Sequence, residues 1–320
     1  MRRLAAVIIA PLLVLTAACG GGGDDDSDAG DLDSVKVTGK VGEAPKVEDA
    51  KGVEVDKVTT RVITEGDGAK VADGDDVVMK YVIIQAKDGE ELGNTFETDA
   101  SGATPMSADQ DQIISPAVIG KPFGTRVLIG VTGKDLGAQE GTDQAKETML
   151  VVADVISKWE APKATGTIDD VTVTGAWGKK PTVKLDKKPL VVAKTESKVV
   201  IPAKDKKAAT VKADDTVTVR YIGVNGRDGA TFDSSYDRGD TVDFQLTQGQ
   251  MIPGFITGLV GQKIGSRVLV TIPYADGYGS AGNPQGGING GDTLVFVVDL
   301  VKKGAPAATD TPSPTATPTE

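Results

Sequence analysis

Along its C-terminal third the chain alternates apolar and polar residues with a period of two. Val217, Val219 and Tyr221 alternate with Thr216, Thr218 and Arg220, and Val268, Val270 and Ile272 repeat the pattern. Leu294, Phe296, Val298 and Leu300 do so again. Successive strand side chains point to opposite faces, so each stretch predicts a half-buried strand. One segment follows the helical period instead. Pro253 suits a first helical turn, Ile256, Leu259 and Val260 form one stripe, and Gly261 stands just past the end. That predicts a helix over residues 253–260. One short helix among several antiparallel strands implies an α+β domain, with the helix packed on a curved sheet.

The pattern occurs twice, at an interval of about 136 to 141 residues. Residues 35–47 (VKVTGKVGEAPKV) match residues 171–183 (VTVTGAWGKKPTV) at seven of thirteen positions. Asp75 to Tyr81 matches the segment ending at Tyr221, and Gly124-Thr-Arg126-Val-Leu128 matches Gly265-Ser-Arg267-Val-Leu269. Thr148-Met-Leu-Val151 matches Thr293-Leu-Val-Phe296. A repeat this long is a duplicated domain rather than a solenoid. Each copy follows a short strand-rich leader, which either forms a small sheet of its own or extends the domain behind it.

Composition narrows the function. Forty-six acidic residues against thirty-five basic ones leave a net charge of -11. A nucleic-acid binder needs clustered Lys and Arg, so nucleic acid is not an expected partner. There is no His, which excludes Ser-His-Asp and Cys-His catalysis and His-ligated metal sites. A single Cys, Cys19, excludes an intramolecular disulfide. Arg2 and Arg3, the apolar run over residues 4–15 and the small residues before Cys19 have the layout of an export signal. They resemble the lipobox of bacterial lipoproteins, although Thr16 stands where Leu is usual. The resemblance implies a lipid-modified Cys19 and anchoring to the outer face of the cytoplasmic membrane. Glycines and aspartates follow, a composition that suits a flexible tether. Residues 304–320 repeat Thr, Pro and Ala and are expected to form a disordered tail.

The second copy carries a set of motifs in order. They are Tyr221-Ile-Gly223, Asp228-Gly-Ala-Thr-Phe232-Asp233-Ser-Ser235, Met251-Ile252-Pro-Gly-Phe255 with Gly258-Leu-Val-Gly261, Ile272-Pro273 with Gly277-Tyr278-Gly279, and Thr293 to Leu300. In this order and spacing they resemble the FKBP-type peptidyl-prolyl cis-trans isomerases. The resemblance implies a fold of two FKBP-like domains, each a curved antiparallel sheet wrapped around one short helix, with an apolar pocket between sheet and helix. Position by position it implies that Tyr221, Phe232, Asp233, Phe255, Tyr278 and Phe296 form the catalytic pocket. Arg238, Val242, Phe244, Met251, Ile252 and Ile288 would contact substrate. Asp233 is expected to orient Tyr221 or Arg238 rather than to act as a base. Phe255 stands where well-studied members have Trp, and Val242 where an aromatic is frequent. Alternating Phe and Ile would equally make an ordinary core; the ordered match favours a site at Tyr278, Asp233, Phe232 and Phe255.

The first copy keeps Tyr81 and Phe96. Glu97 is expected at the place of Asp233, Ile114 at that of Phe255, Leu136 or Gly137 near that of Tyr278, and Val151 at that of Phe296. These changes predict a poor catalyst. The expected organisation is a signal peptide at 1–19, a tether at 20–34, a degenerate domain at 35–158, linker and second leader at 159–210, the isomerase domain at 211–303 and the tail. The expected activity is rotation of X-Pro bonds in exported proteins. The rival is a non-catalytic FKBP-fold chaperone or binding lipoprotein. Proline-containing unfolded proteins are the expected partners, with FK506- or rapamycin-type macrolides as further ligands. No cofactor or metal is implied.

Overall fold

The structure is a computed structural model, and it describes residues 30–97 and 102–304. Cys19, the signal and most of the tether lie outside those residues, as does all but Gly304 of the expected tail. Among the described residues no helix is long and apolar enough to cross a membrane. The chain forms two compact units, divided between Glu160 and Ala161.

The first unit runs β1 (Lys36–Thr38), β2 (Lys46–Glu48), β3 (Thr59–Thr64), β4 (Asp76–Gln85), β5 (Glu90–Asn94), β6 (Thr104–Pro105), α1 (Ile114–Val118), β7 (Thr125–Thr132), α2 (Asp143–Lys146) and β8 (Thr148–Lys158). The second runs β9 (Val171–Thr174), β10 (Thr182–Leu185), β11 (Glu196–Ile201), β12 (Thr216–Asn225), β13 (Thr231–Ser234), α3 (Ser235–Arg238), β14 (Val242–Gln245), α4 (Pro253–Leu259), β15 (Arg267–Ile272) and β16 (Leu294–Lys303). The sheets have one topology, β3-β7-β8-β4-β5 with β6 on β4, and β11-β15-β16-β12-β13 with β14 on β12. All pairings are antiparallel, so each unit is α+β, as the alternation implies.

The helix expected over 253–260 is α4, opened by Pro253 and stopped before Gly261, whose φ is +88°. It lies on β15 at close range: a Cβ at Gly258 would stand 2.3 Å from Val270 Cγ1. Val217, Val219, Val268, Val270 and Ile272 meet Phe255 and Leu259 in the core beneath it.

The strands are not half-buried, and this corrects the sequence-based expectation. β15 is buried along its whole length. The second face of the sheet, with Leu269 of β15, Ile222 and Val224 of β12 and Val295 and Val297 of β16, packs on Ile168, Val171, Leu185, Leu190 and Val192 of the leader. The first unit repeats this, with Leu32, Val35, Ala50 and Val53 on Val82, Ile84, Leu128, Leu150 and Val152. Each leader does form a two-stranded hairpin, β1-β2 or β9-β10, but the hairpin covers its domain rather than standing apart. The span 159–210 is likewise more than linker and leader: its strand β11 pairs with β15 at the sheet edge.

Each hairpin is fastened by a buried ion pair. Arg267 Nε and Nη2 donate to the two Asp299 oxygens at 2.7 and 2.8 Å, and both side chains are fully buried. The guanidinium also reaches the leader backbone, Nη1 donating to Gly175 O at 3.0 Å and Nη2 to Lys179 O at 2.7 Å. The leader answers with Gly178 N–H, which donates to Asp299 at 2.6 Å. Arg126 and Asp154 do the same in the first unit, with Gly39, Lys40 and Glu43 carbonyls and the Gly42 N–H. A buried pair is stable only when its remaining donors and acceptors are met, and here the leader meets them.

Candidate functional site

Four of the chain's six Phe residues gather in the second unit, around Tyr221. Tyr221 comes from β12, Phe232 from β13, Phe244 from β14, Phe255 from α4 and Phe296 from β16. Phe255 lies 5.1 Å from Phe296 and 5.3 Å from Phe244, both edge-on. Phe232 meets Phe296 edge-on at 5.5 Å, and Tyr221 lies 5.3 Å from Phe244. Edge-on rings at 4.5–7 Å attract one another through their quadrupoles, so the set holds its own shape. Burial falls from floor to rim. Phe255, Tyr221 and Phe296 are buried; Phe232, Phe244, Val242, Met251 and Ile252 are half-buried; Tyr278 is 38 % exposed. The arrangement is a recess with an aromatic floor, open on one side.

Room for the floor comes from one residue. Gly223 faces Phe232 and Phe296, and a Cβ there would stand 2.5 Å from the Phe232 ring and 3.1 Å from Phe296. Ile83 holds this position in the first unit, opposite Val151 as Gly223 is opposite Phe296.

One wall is polar. The Tyr221 hydroxyl donates to Asp233, and Arg238 donates to both, reaching the Tyr221 oxygen at 3.1 Å. Burial, reinforced by the Asp233 carboxylate, pushes the Tyr221 hydroxyl up to about 12, so it remains a donor at physiological pH. Burial pulls Asp233 upward, but the Tyr221 hydroxyl and Arg238 outweigh it and hold the carboxyl below its ordinary range. Asp233 is therefore ionised and already engaged, which suits an orienting group. The Ser235 hydroxyl accepts from the Tyr221 N–H at 2.9 Å and fixes the wall to β12.

The rim offers donors. The N–H of Ile252, at the N-cap of α4, has no partner among the described residues, and neither has the Tyr278 hydroxyl. Tyr278 follows a short 3₁₀ turn whose Asp276 accepts from Thr195 Oγ1 at 2.5 Å. Ile288, expected to contact substrate, is almost wholly buried under the loop where Asn283 and Ile288 pair. Eleven of the twelve residues expected at the pocket meet in this cluster or its polar wall, while Tyr278 stands exposed in the loop after the 3₁₀ turn.

Two expectations about the first unit need correction. Strand register places Gly93 opposite Ile83 as Asp233 lies opposite Gly223. Thr95 accepts from the Tyr81 N–H as Ser235 does from Tyr221. Gly93, not Glu97, therefore stands at the place of Asp233, and Leu92, not Phe96, at that of Phe232. Phe96 occupies the place of Tyr236, over the Arg126 guanidinium at 6.0 Å. Phe96-Glu97 resembles Phe232-Asp233 in sequence but lies four residues beyond the place that register assigns. Ile114 does stand where Phe255 does, since both helices end five residues later at a Gly-preceding cap. Sequence reasoning also passed over Gly223, Tyr236 and the Arg267–Asp299 pair. A charged residue at one place in two buried strands of both copies was the available signal.

Residues 207–301 match the family described as FKBP-type peptidyl-prolyl cis-trans isomerase. An FK506-binding protein of Streptomyces anulatus is 44% identical over 90 residues, 28% of this chain and 73% of that protein. A peptidyl-prolyl cis-trans isomerase of Arabidopsis thaliana is 45% identical over 87 residues, 27% of this chain and 56% of its own length. FK506-binding protein 2 of Emericella nidulans is 42% identical over 88 residues, 28% of this chain and 64% of its own length. The chain thus spans between about half and three quarters of these relatives. It belongs to the FKBP-type peptidyl-prolyl cis-trans isomerase family, and the matched residues contain every side chain of the aromatic recess.

Proposed function

We propose that the recess of the second unit binds the proline ring of an X-Pro segment and lowers the barrier to rotation of its peptide bond. Resonance holds that bond planar, and the barrier in water is about 18–20 kcal/mol. At the twisted transition state conjugation is lost and the carbonyl becomes less polar. An aromatic, water-poor recess favours that state over the planar one, which is differential binding of the transition state. Phe232, Phe255 and Phe296 hold the ring. The Ile252 N–H, free at the rim, donates to a substrate carbonyl, and the Tyr278 hydroxyl donates to the carbonyl of the twisting bond or its neighbour. Asp233, held by Tyr221 and Arg238, shapes the wall and takes no proton.

The mutual edge-on packing of Phe255, Phe296, Phe232 and Phe244 carries this reading. In the first unit Ile114, Val151 and Leu92 replace three of these rings, so that unit holds clients without turnover or spaces the active one. Substrates are exported, proline-containing chains, and Cys19 anchors the protein by lipid to the outer face of the cytoplasmic membrane. A macrolide of the FK506 class occupies the same recess, in keeping with the names of its relatives.

The test is isomerisation of a proline tetrapeptide by the whole chain. Phe255→Ala is expected to remove on the order of a hundredfold of the acceleration, while Ile114→Ala leaves it unchanged. Full activity in Phe255→Ala would place catalysis elsewhere. A folded but inactive parent chain would make the protein a binding lipoprotein.

A further inference from the structure

We infer that the second leader hairpin positions the polar wall of the recess, acting through Tyr236 and Lys180. The inference rests on the reading of the recess given above. Arg238 sits on α3, a single four-residue turn. So short a helix has no stability of its own, and its neighbours decide where it sits. Two of its residues reach the leader. The Tyr236 hydroxyl donates to Asp299 Oδ2 at 2.7 Å and accepts from Arg267 Nη2 at 3.3 Å. It thereby joins the buried pair that fastens the hairpin through Gly175, Gly178 and Lys179. Asp237 accepts from Lys180 of the hairpin, at 2.6 and 2.7 Å. The next residue is Arg238, whose guanidinium grips Asp233 and lies 5.9 Å from the Tyr221 ring. A continuous path of contacts therefore runs from the leader, which lies on the far face of the sheet, to the wall of the recess.

The first unit supplies the contrast. Its hairpin and its Arg126–Asp154 pair are intact, yet both links to the wall are missing. Phe96, without a hydroxyl, replaces Tyr236, and Ala44 replaces Lys180. With Gly93 in place of Asp233, no carboxylate remains to be positioned there. The links thus occur in the unit that has a wall and are absent from the one that lacks it. Tyr236 and Lys180 are positioning residues, since neither side chain faces the recess.

The experiment uses the full chain with Tyr236→Phe, Lys180→Ala, Asp233→Asn and the double variant Tyr236→Phe/Asp233→Asn. Two quantities are read: kcat/KM for the proline peptide, and the Arg238 side-chain N–H resonances. Tyr236→Phe is expected to lower kcat/KM on the order of tenfold, the scale of a small displacement of a site group. In the Asp233→Asn background its effect should shrink below about twofold, because contacts acting through one group are not additive. The Arg238 resonances should move in Tyr236→Phe and, less, in Lys180→Ala. Unmoved Arg238 resonances, or a Tyr236→Phe loss of equal size in both backgrounds, would overturn the inference. Lys180→Ala alters an exposed residue only, so its resonance shift decides the matter even if Tyr236→Phe does not fold. An Asp233→Asn variant with full activity would instead count against the wall's part in the site, while the resonances still report on the clamp.

Discussion

The two units share a sheet topology, a leader hairpin and a buried Arg–Asp pair, and they differ on the face that carries the helix. On the leader face the correspondence extends to the atoms. Arg126 and Arg267 each give Nε and Nη2 to an aspartate and reach hairpin carbonyls through Nη1 and Nη2. On the helix face Gly223, Phe232, Asp233, Phe255 and Phe296 answer to Ile83, Leu92, Gly93, Ile114 and Val151. Each aliphatic is a sound core residue, so the first unit folds without keeping the recess. The framework tolerates either lining because each lining fills the helix-face core, while the shared leader clamp lies on the other face of the sheet.

The comparison is tested hardest where the units agree. Arg267→Leu leaves Asp299 buried without its partner, and the loss should be about 3–5 kcal/mol. Arg126→Leu should cost the first unit the same, read as the shift of each unit's own transition in denaturant. A loss confined to one unit would mean that the two clamps are not equivalent. The sharpest test of the difference is Gly223→Ile, which copies the first unit. Its Cβ meets the Phe232 ring, so isomerase activity should fall on the order of a hundredfold. Ile83→Gly should confer none, since the rings it would make room for are absent.

A smaller effect is expected at the rim. Tyr278→Phe removes a single exposed donor, and kcat/KM should fall about threefold to tenfold, the worth of one neutral hydrogen bond. Thermal stability should not change. An unchanged kcat/KM would take the hydroxyl out of the chemistry.

The smallest effect is with pH. The Asp233 carboxyl titrates below its ordinary value in the folded state, so its contribution to the wall is complete above about pH 4. It is lost as the pH falls further, through the depressed value. In a protease-free assay the activity should decline on that acid limb and be flat at neutral pH. Asp233→Asn should abolish the limb at reduced activity. A decline centred near neutrality would point to another group, and the chain has no His to supply one.

Much of the second unit was legible in its sequence. Alternation at Val217 to Tyr221 and Leu294 to Leu300 marked two strands, and Pro253 and Gly261 bracketed the helix to within a residue. The recess residues were legible because ordered motifs carry spacing as well as identity. The first unit was less legible, because its Phe96-Glu97 imitates Phe232-Asp233. Two residues in sequence do not state a register; hydrogen bonds between β4 and β5 do. Alternation also reports only that one face of a strand is apolar. It was silent on Ile222 and Val224, whose burial depends on a leader about thirty to fifty residues upstream.

Local order along the chain therefore determined the elements, the duplication, the absence of His chemistry and the residue types available for an aromatic recess. These depend on neighbours in sequence and on composition. Tertiary structure decided what covers the second face of each sheet, which residue of the first unit answers to Asp233, and that Arg267, Asp299 and Tyr236 join leader to wall. Those facts depend on contacts between segments far apart in the chain. The same apolar or charged residue is core, clamp or site according to what the fold brings against it.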